Sequence, residues 1–541
     1  MRIVFLLFFL CFLSVGKAQD RPNIILILAD DMGYSDLGCT GGEIPTPNLD
    51  QLAANGLLMP NFYNAARCCP TRASLLTGLY PHQAGMGDMV EGRLWKDSTF
   101  LPAYQGWLSD QAITIAEALK QGGYQTLFSG KWHLGNDQLH WPGNRGFDQC
   151  FAMIHGAGNY FNDEPWVTED QFIHFQLNGR PFEPGEDFYM TDAVTDYALQ
   201  FMNNTAGDQP FFLYLSYTAP HWPLHALAED IQRFQGQYLA GWEKIRAERV
   251  KKMQRLGFLS EKIQVSVPYQ DEQKPFLTPK WDTLSQQEKS TWDLRMAVYA
   301  AQVYAMDRGI GKVVNQLKAS KQLDNTLILF LSDNGATHAA IYLAKSWVAD
   351  RSGAIGSAQS FDSYGAMWGN VSNTPYRLFK NYTTEGGIKT PLIAHYPRLI
   401  APSSRSNDYA HVIDILPTCL ELAEVSYPTA YQGKRIKPTE GTSLVPVFEK
   451  KKLPADRPII WEHQGSWAIR KGKWKLVTIS KKRATQESYP ALFDLENDPT
   501  EMTDLSDQYP KIVEELLQLY KSKAAEMGVV PVDSLILARK I

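Results

Sequence analysis

The sequence predicts an α/β fold with a mostly parallel sheet, followed by a smaller C-terminal unit with an antiparallel sheet and a helix. Three observations predict it. Residues 23–29, 210–217 and 326–332 are continuous apolar runs rich in branched and aromatic residues, the pattern of strands buried on both faces. Segments of helical period lie between them, as in βαβ units. From about residue 427, short strand-like runs at 459–462, 467–470, 474–479 and 492–494 follow one another with turns between them. A helix at 510–525 closes the chain.

The first strand, Asn-Ile-Ile-Leu-Ile-Leu-Ala, ends in Asp30-Asp31. Open α/β sheets place ligands past the carboxyl ends of their strands. Two adjacent acids repel, and a hard divalent cation gives them a reason to sit together. A helix cap in a solvated turn is the other reading. Residues 47–58 carry Leu49, Leu52, Ala53 and Leu57 at helical spacing.

Cys68-Cys69-Pro70-Thr71-Arg72 opens the next predicted helix. Pro70 suits its first turn, and Gly78 suits its end. Cys68 and Arg72 stand four apart, so a sulfur, a cation and free backbone N–H groups gather at a helix start, a place that suits an anion. A buried cysteine pair is the alternative.

A helix at 113–121 precedes a short strand at 124–128, which runs into Gly130-Lys131-Trp132-His133-Leu134-Gly135. A two-residue step on an extended segment puts Lys131 and His133 on one side. A helix at 189–202 leads to the strand at 210–217 and then to Ala219-Pro220-His221-Trp222-Pro223. The two prolines hold His221 on a rigid loop. His225 follows and is a further candidate for the same cleft. Residues 238–263 read as a charged helix whose interleaved acids indicate a solvated face.

A long helix at 294–317 leads to the strand at 326–332, which delivers Asp333-Asn334. Two strand ends bearing oxygen ligands can converge in a doubly wound sheet, which strengthens the metal reading of Asp30 and Asp31. Residues 339–368 read as a long loop, 393–396 as a strand and 412–423 as a helix. The Asn381-Tyr382-Thr383 sequon reads as chance, since a glycan there would crowd the cleft.

With 44% hydrophobic and 21% charged residues in 541, the chain reads as globular and large enough for two domains. A net charge of −5 provides no global attraction for nucleic acid. Residues 1–18 have the pattern of a signal peptide: Arg2, an apolar run to Leu13, and small residues around Lys17. The run is short for a membrane span. An exported protein, periplasmic or secreted, is expected. Beyond Cys11 the cysteines are Cys39, Cys68, Cys69, Cys150 and Cys419, an odd number that leaves at least one unpaired.

The Cys-x-Pro-Thr-Arg string, continued by Leu75-Leu76-Thr77-Gly78, resembles the signature of the type I sulfatases, with Thr71 in place of the commoner Ser. Gly-Lys-Trp-His-Leu-Gly and Ala-Pro-His-x-Pro resemble two further motifs of that family. Residues 384–391 resemble the block that follows its last active-site lysine, here Lys380, and residues 492–501 resemble a stretch of its C-terminal domain. The start and end of the charged helix resemble an insertion of an arylsulfatase-like bacterial subgroup.

The resemblance implies an alkaline-phosphatase-like α/β/α sandwich, with a catalytic domain over 19–426 and a C-terminal subdomain over 427–541. It implies oxidation of Cys68, selected over Cys69 by its register, to formylglycine by a maturation enzyme. It implies one cation held by Asp30, Asp31, Asp333, Asn334 and residue 68. Hard oxygen ligands point to Ca²⁺. Arg72 would fix the formylglycine hydrate, Lys131 and Lys380 would grip the sulfate, His221 would protonate the leaving alcohol, and His133 would help expel sulfate. The expected substrate is a sulfated sugar or an aryl sulfate, the sugar favoured by Trp166, Trp222 and Trp368 near the motifs. The rivals are a phosphatase or phosphodiesterase of the same superfamily and a glycan-binding protein with a decayed site. No nucleic acid partner and no membrane span are expected.

Overall fold

The computed structural model describes residues 21–90, 101–164, 174–205, 209–270, 274–343, 353–478 and 490–530. The expected signal segment and Trp166 lie outside them. In chain order the first elements are β1 (Asn23–Ala29), α1 (Pro47–Ala54), β2 (Leu57–Tyr63), α2 (Cys68–Thr77), α3 (Ile115–Gln121), β3 (Gln125–Lys131), β4 (Gln149–Met153), β5 (Phe175–Leu177) and β6 (Arg180–Pro181). Then come α4 (Met190–Asn203), β7 (Phe211–Ser216), α5 (Ala228–Phe234), α6 (Trp242–Arg255), α7 (Gln286–Ala319), β8 (Thr326–Ser332), α8 (Gly365–Ser372), α9 (Glu385–Ile388) and β9 (Lys389–His395).

An 11-stranded sheet carries these strands, with β8-β1-β7-β3-β4 parallel at its centre. Short strands β10 (Ser404–Arg405) and β11 (Ala410–His411) pair with β2 at one edge. β9 is antiparallel to both β8 and β2.

The period of two in β1 divides its side chains between two cores. Ile25, Ile27 and Ala29 pack in one with α1, α4 and α7. Ile24, Leu26 and Leu28 pack in the other with α2, α3 and α10 (Ile415–Leu422). Every residue of β1 is buried, which is why the strand shows no polar alternation. Each fully buried Ile or Leu contributes roughly 1.5–3 kcal/mol of burial.

The C-terminal part starts with the hairpin β12 (Ala430–Tyr431) and β13 (Lys434–Arg435) and the short helix α11 (Val445–Phe448). The strands β14 (Ile459–His463), β15 (Ser466–Lys471), β16 (Trp474–Val477) and β17 (Ala491–Asp494) form an antiparallel sheet. On one face it packs with α12 (Pro510–Met527). On the other it packs against Tyr63 and Ile388 of the main sheet region.

Several expectations need correction. The predicted helix at 47–58 ends at Ala54, and Leu57-Leu58 open β2 instead. Their apolar spacing fitted both periods. The charged helix is shorter, and Arg249 is not solvated: it is buried on Asp36 at 2.6 Å and Glu43 at 2.7 Å. The strand expected at 393–396 runs from Lys389 to His395, and α8 occupies the end of the expected long loop. Trp368 belongs to the core, within 6.1 Å of the rings of Tyr238, Trp242 and Trp281.

Candidate active site

Four adjacent strands end together, and their register decides which residues meet. Ala29 of β1 lies opposite Ser332 of β8, so Asp30 and Asp333 are the first residues beyond two neighbouring strands. On the other side Leu28 pairs with Ser216 of β7, and Ser216 pairs with Gly130 of β3. β7 therefore leads to His221, and β3 delivers Lys131 as its last residue. Gly130 has a positive φ of 126°, and a Cβ there would lie 1.8 Å from the Ser216 carbonyl oxygen. Only glycine allows that approach.

α2 begins at Cys68 against this rim, follows extended Arg67, and ends at left-handed Gly78, whose N–H reaches Ser74 O. Arg72 on the second turn joins the strand ends. Its Nη2 lies 2.9 Å from Asp333 and 3.3 Å from Asp30. Its Nη1 donates to Lys131 O at 2.9 Å and to Ser216 Oγ at 2.5 Å. Its Nε is buried without a hydrogen-bond partner.

Lys131 Nζ contacts Asp30 Oδ2, and Lys380 Nζ lies 2.6 Å from Asp31 Oδ1. Asn334 Nδ2 donates to Asp31 Oδ1 at 2.7 Å. His221 Nε2 stands 3.5 Å from Asp31 Oδ2. The ligand-type atoms of Cys68, Cys69 and His133 lie within 4.8 Å of one another, as do those of Asp30, Asp31 and His221. The structure thus brings all ten predicted site residues into one buried cluster.

The segment at Lys131 and His133 is not extended throughout. His133 has a φ of 55°, so a left-handed residue aims its ring. His225 is not in the cluster. One ring nitrogen accepts from Tyr160 N at 3.3 Å and the other faces Ser360 O at 2.7 Å, so it ties two loops together.

Electrostatics follow from burial and crowding. Burial would raise the Asp30 carboxyl, but Lys131, His221, Arg72 and Lys380 hold it down at about 2. Burial and the Asp30 charge push Asp333 up to about 8, against Arg72. Each of these two carboxylates thus opposes the ionisation of the other, and the cations around them work against that. Burial lowers His221 to about 4, with Asp31 opposing. Its Nδ1 lies 2.5 Å from Trp222 O, which assigns the proton of the neutral ring to Nδ1. Burial opposes ionisation of Cys68, but the Cys69 hydrogen bond and the charges of Lys380, His133 and Lys131 hold its thiol well below the usual range. No disulfide joins any of the five cysteines among the described residues.

Asp30 Oδ1, Asp31 Oδ2 and Asn334 Oδ1 are buried without hydrogen-bond partners. Buried oxygens left unpaired cost free energy, and a hard cation removes that cost. These three unpaired donors are all oxygens, which fits Ca²⁺ better than zinc.

Sequence reasoning missed Ser216 and Ser332. Ser332 Oγ accepts from Met32 N at 3.1 Å, and Ser216 Oγ sits between Arg72 and Lys131 O. Each is the polar last residue of an apolar strand, a signal that was available.

A family model described as Sulfatase matches residues 22–425, and one described as N-sulphoglucosamine sulphohydrolase, C-terminal, matches residues 376–526. An uncharacterised sulfatase of Schizosaccharomyces pombe is 36% identical over 94% of this chain and 94% of its own. An arylsulfatase of Klebsiella aerogenes is 37% identical over 79% of this chain and 92% of its own. The crystal structure of Ps i-CgsB in complex with k-i-k-neocarrahexaose superposes with a TM-score of 0.66 at 28% identity, covering 93% of each chain. The match spans both parts of the fold and the strand ends that carry the cluster: the chain belongs to the sulfatase family and is a sulfuric ester hydrolase.

Proposed function

We propose that this protein hydrolyses sulfate monoesters of a sulfated carbohydrate and releases inorganic sulfate. The observation that carries this reading is the convergence of three buried cations, Arg72, Lys131 and Lys380, with four oxygen-ligand residues at one group of strand ends. The solved relative bound to k-i-k-neocarrahexaose supports a saccharide as substrate.

Asp30, Asp31, Asp333 and Asn334 would hold Ca²⁺, which supplies positive charge to a sulfate and to an oxygen on residue 68. Oxidised to formylglycine by a maturation enzyme and hydrated, residue 68 supplies two hydroxyls, one to displace the alcohol at sulfur and one to expel the sulfate.

The chain's own side chains do the rest. Arg72, whose buried Nε has no hydrogen-bond partner, fixes residue 68. Lys131 and Lys380 exchange their carboxylate partners for sulfate oxygens and stabilise charge as the S–O bond breaks. His221 delivers a proton through Nε2 to the leaving oxygen, while Trp222 O fixes its ring through Nδ1. Burial, helped by Lys380 and Lys131, keeps this imidazole neutral, and a bound sulfate anion offsets the lysines and favours the protonated ring. His133, beside Cys68, removes a proton from residue 68 as sulfate departs.

The reading includes export directed by residues 1–18, a catalytic domain over 19–426 and a C-terminal subdomain over 427–541. No helix of the described residues is long and apolar enough to cross a membrane. The test is sulfate release from a panel of defined sulfated saccharides and aryl sulfates after coexpression with a formylglycine-generating enzyme. Release from a saccharide supports the reading. Release from aryl esters alone reduces it to a generalist arylsulfatase, and phosphate release with two bound zinc ions replaces it.

A further inference from the structure

A cavity of about 640 Å³ opens between the edge of the main sheet and the C-terminal part. None of the ten residues of the active-site cluster lines it. Its wall carries four cations, Lys389, Arg405, Lys452 and Arg470, against two carboxylates, Asp408 and Glu496. Lys389 is also paired with Glu385 at 3.2 Å and Lys452 with Asp408 at 3.6 Å, so Arg405 and Arg470 are the main source of positive charge toward a ligand, in a chain whose net charge is −5.

Three of the cations stand over aromatic rings that also line the cavity. Arg470 lies 4.1 Å from the Tyr409 ring centroid, Arg405 4.2 Å from Phe258, and Lys389 4.6 Å from Tyr376. The two guanidiniums are fixed before any ligand arrives. Arg405 donates to the carbonyls of Leu256 and Gly257, and Arg470 donates to Gly472 O and Tyr63 Oη. Preorganised cations lose little entropy on binding. Lys452 at the rim is exposed, 3.6 Å from Asp408, and can turn toward a ligand.

The rings hold the cations in place, and Arg and Lys bind sulfate oxygens. The volume lies in the range of ligand pockets. We infer that this groove is a second, non-catalytic site that binds an anionic segment of a sulfated oligosaccharide. The anionic character rests on the groove alone; the choice of a sugar rests on the carbohydrate-sulfatase reading.

Isothermal titration with tetrasaccharides of heparin, chondroitin sulfate and carrageenan tests it, alongside an unsulfated tetrasaccharide and polyaspartate. The comparison is between the intact protein and the Arg405→Ala/Lys452→Ala double variant, both positions being exposed. Thermal midpoints check that the variant is folded. The expected result is a second site per chain for at least one sulfated tetrasaccharide, weakened by salt and by at least about tenfold in the variant. Phe258→Ala should weaken the same site.

A single site in both proteins, or polyaspartate binding there as tightly as the best saccharide, overturns the inference. Sulfate release is measured on the same panel. Release without a second site removes the groove and leaves the function. A second site without release from any ester does the reverse.

Discussion

Arg72 and Asp333 face each other at 2.9 Å with no solvent exposure on either side chain. This contact joins the helix that starts at Cys68 to the second acidic strand end. Arg72→Ala leaves Asp30 and Asp333 buried without their shared cation. Breaking such a pair costs about 3–5 kcal/mol. Arg72→Lys keeps the charge but cannot reach Lys131 O, Ser216 and both carboxylates at once. Both variants should lose sulfatase turnover, and denaturant midpoints should fall further for the alanine. Wild-type stability in Arg72→Ala would show that the guanidinium does not hold the strand ends together.

The two histidines should separate kinetically. A general acid matters most for a poor leaving group, and its loss costs about 10²–10⁴-fold. His221→Ala should therefore be severe on a sugar sulfate and mild on an activated aryl sulfate. His133→Ala should slow both and leave sulfate on the enzyme in intact-mass spectra. Equal losses on both substrates for His221→Ala, or sulfated enzyme in that variant alone, would reverse the assignments.

Gly156 backs the His133 ring. A Cβ added there would lie 2.5 Å from His133 Cε1, too close for the ring to stay where it is. Gly156→Ala should cut turnover on both substrate types, as His133→Ala does, with little change in thermal midpoint. Gly143→Ala is the control, because its nearest contact is Cys150 Sγ at 4.0 Å. Unchanged kinetics in Gly156→Ala would remove His133 from the reaction.

A buried ion cluster joins the two parts of the fold and carries a pH signature. Lys475 of β16 lies 2.8 Å from Glu385 and 2.8 Å from Glu501, and Lys389 lies 3.2 Å from Glu385. Burial would raise Glu385, but Lys475, Lys389 and Arg470 hold it at about 2. Its ordinary value is 4.5, so the folded state favours the ionised form. The contribution is full above about 4.5 and is lost as pH falls toward 2, on the order of 3 kcal/mol in all. Glu385→Gln should be less stable at neutral pH and lose less stability across that acid window. Parallel stability–pH curves for the two proteins would contradict this.

The site was more legible in the sequence than the fold around it. Asp30, Asp31, Asp333 and Asn334 could be placed because buried parallel strands are continuous apolar runs with abrupt polar ends. β2 could not, because Leu57 and Leu58 continue the helical spacing of α1 and the chain turns at Gly56, whose added Cβ would meet Ala394 O at 2.3 Å. Arg249 looked solvated because its partners, Asp36 and Glu43, lie more than two hundred residues away in sequence. The left-handed turn at His133 could not be read from residue type: histidine is one of the few non-glycine residues enriched in that region, but most histidines lie elsewhere.

The central claim is that residue 68, as formylglycine, works beside one calcium ion. Peptide mass spectrometry of active protein, with metal analysis on the same sample, tests it most directly. The account predicts an aldehyde at position 68, an intact thiol at Cys69, and one calcium per chain that disappears together with activity in Asp333→Ala. Fully active protein with both cysteines intact as thiols, or with two zinc ions in place of calcium, would contradict it.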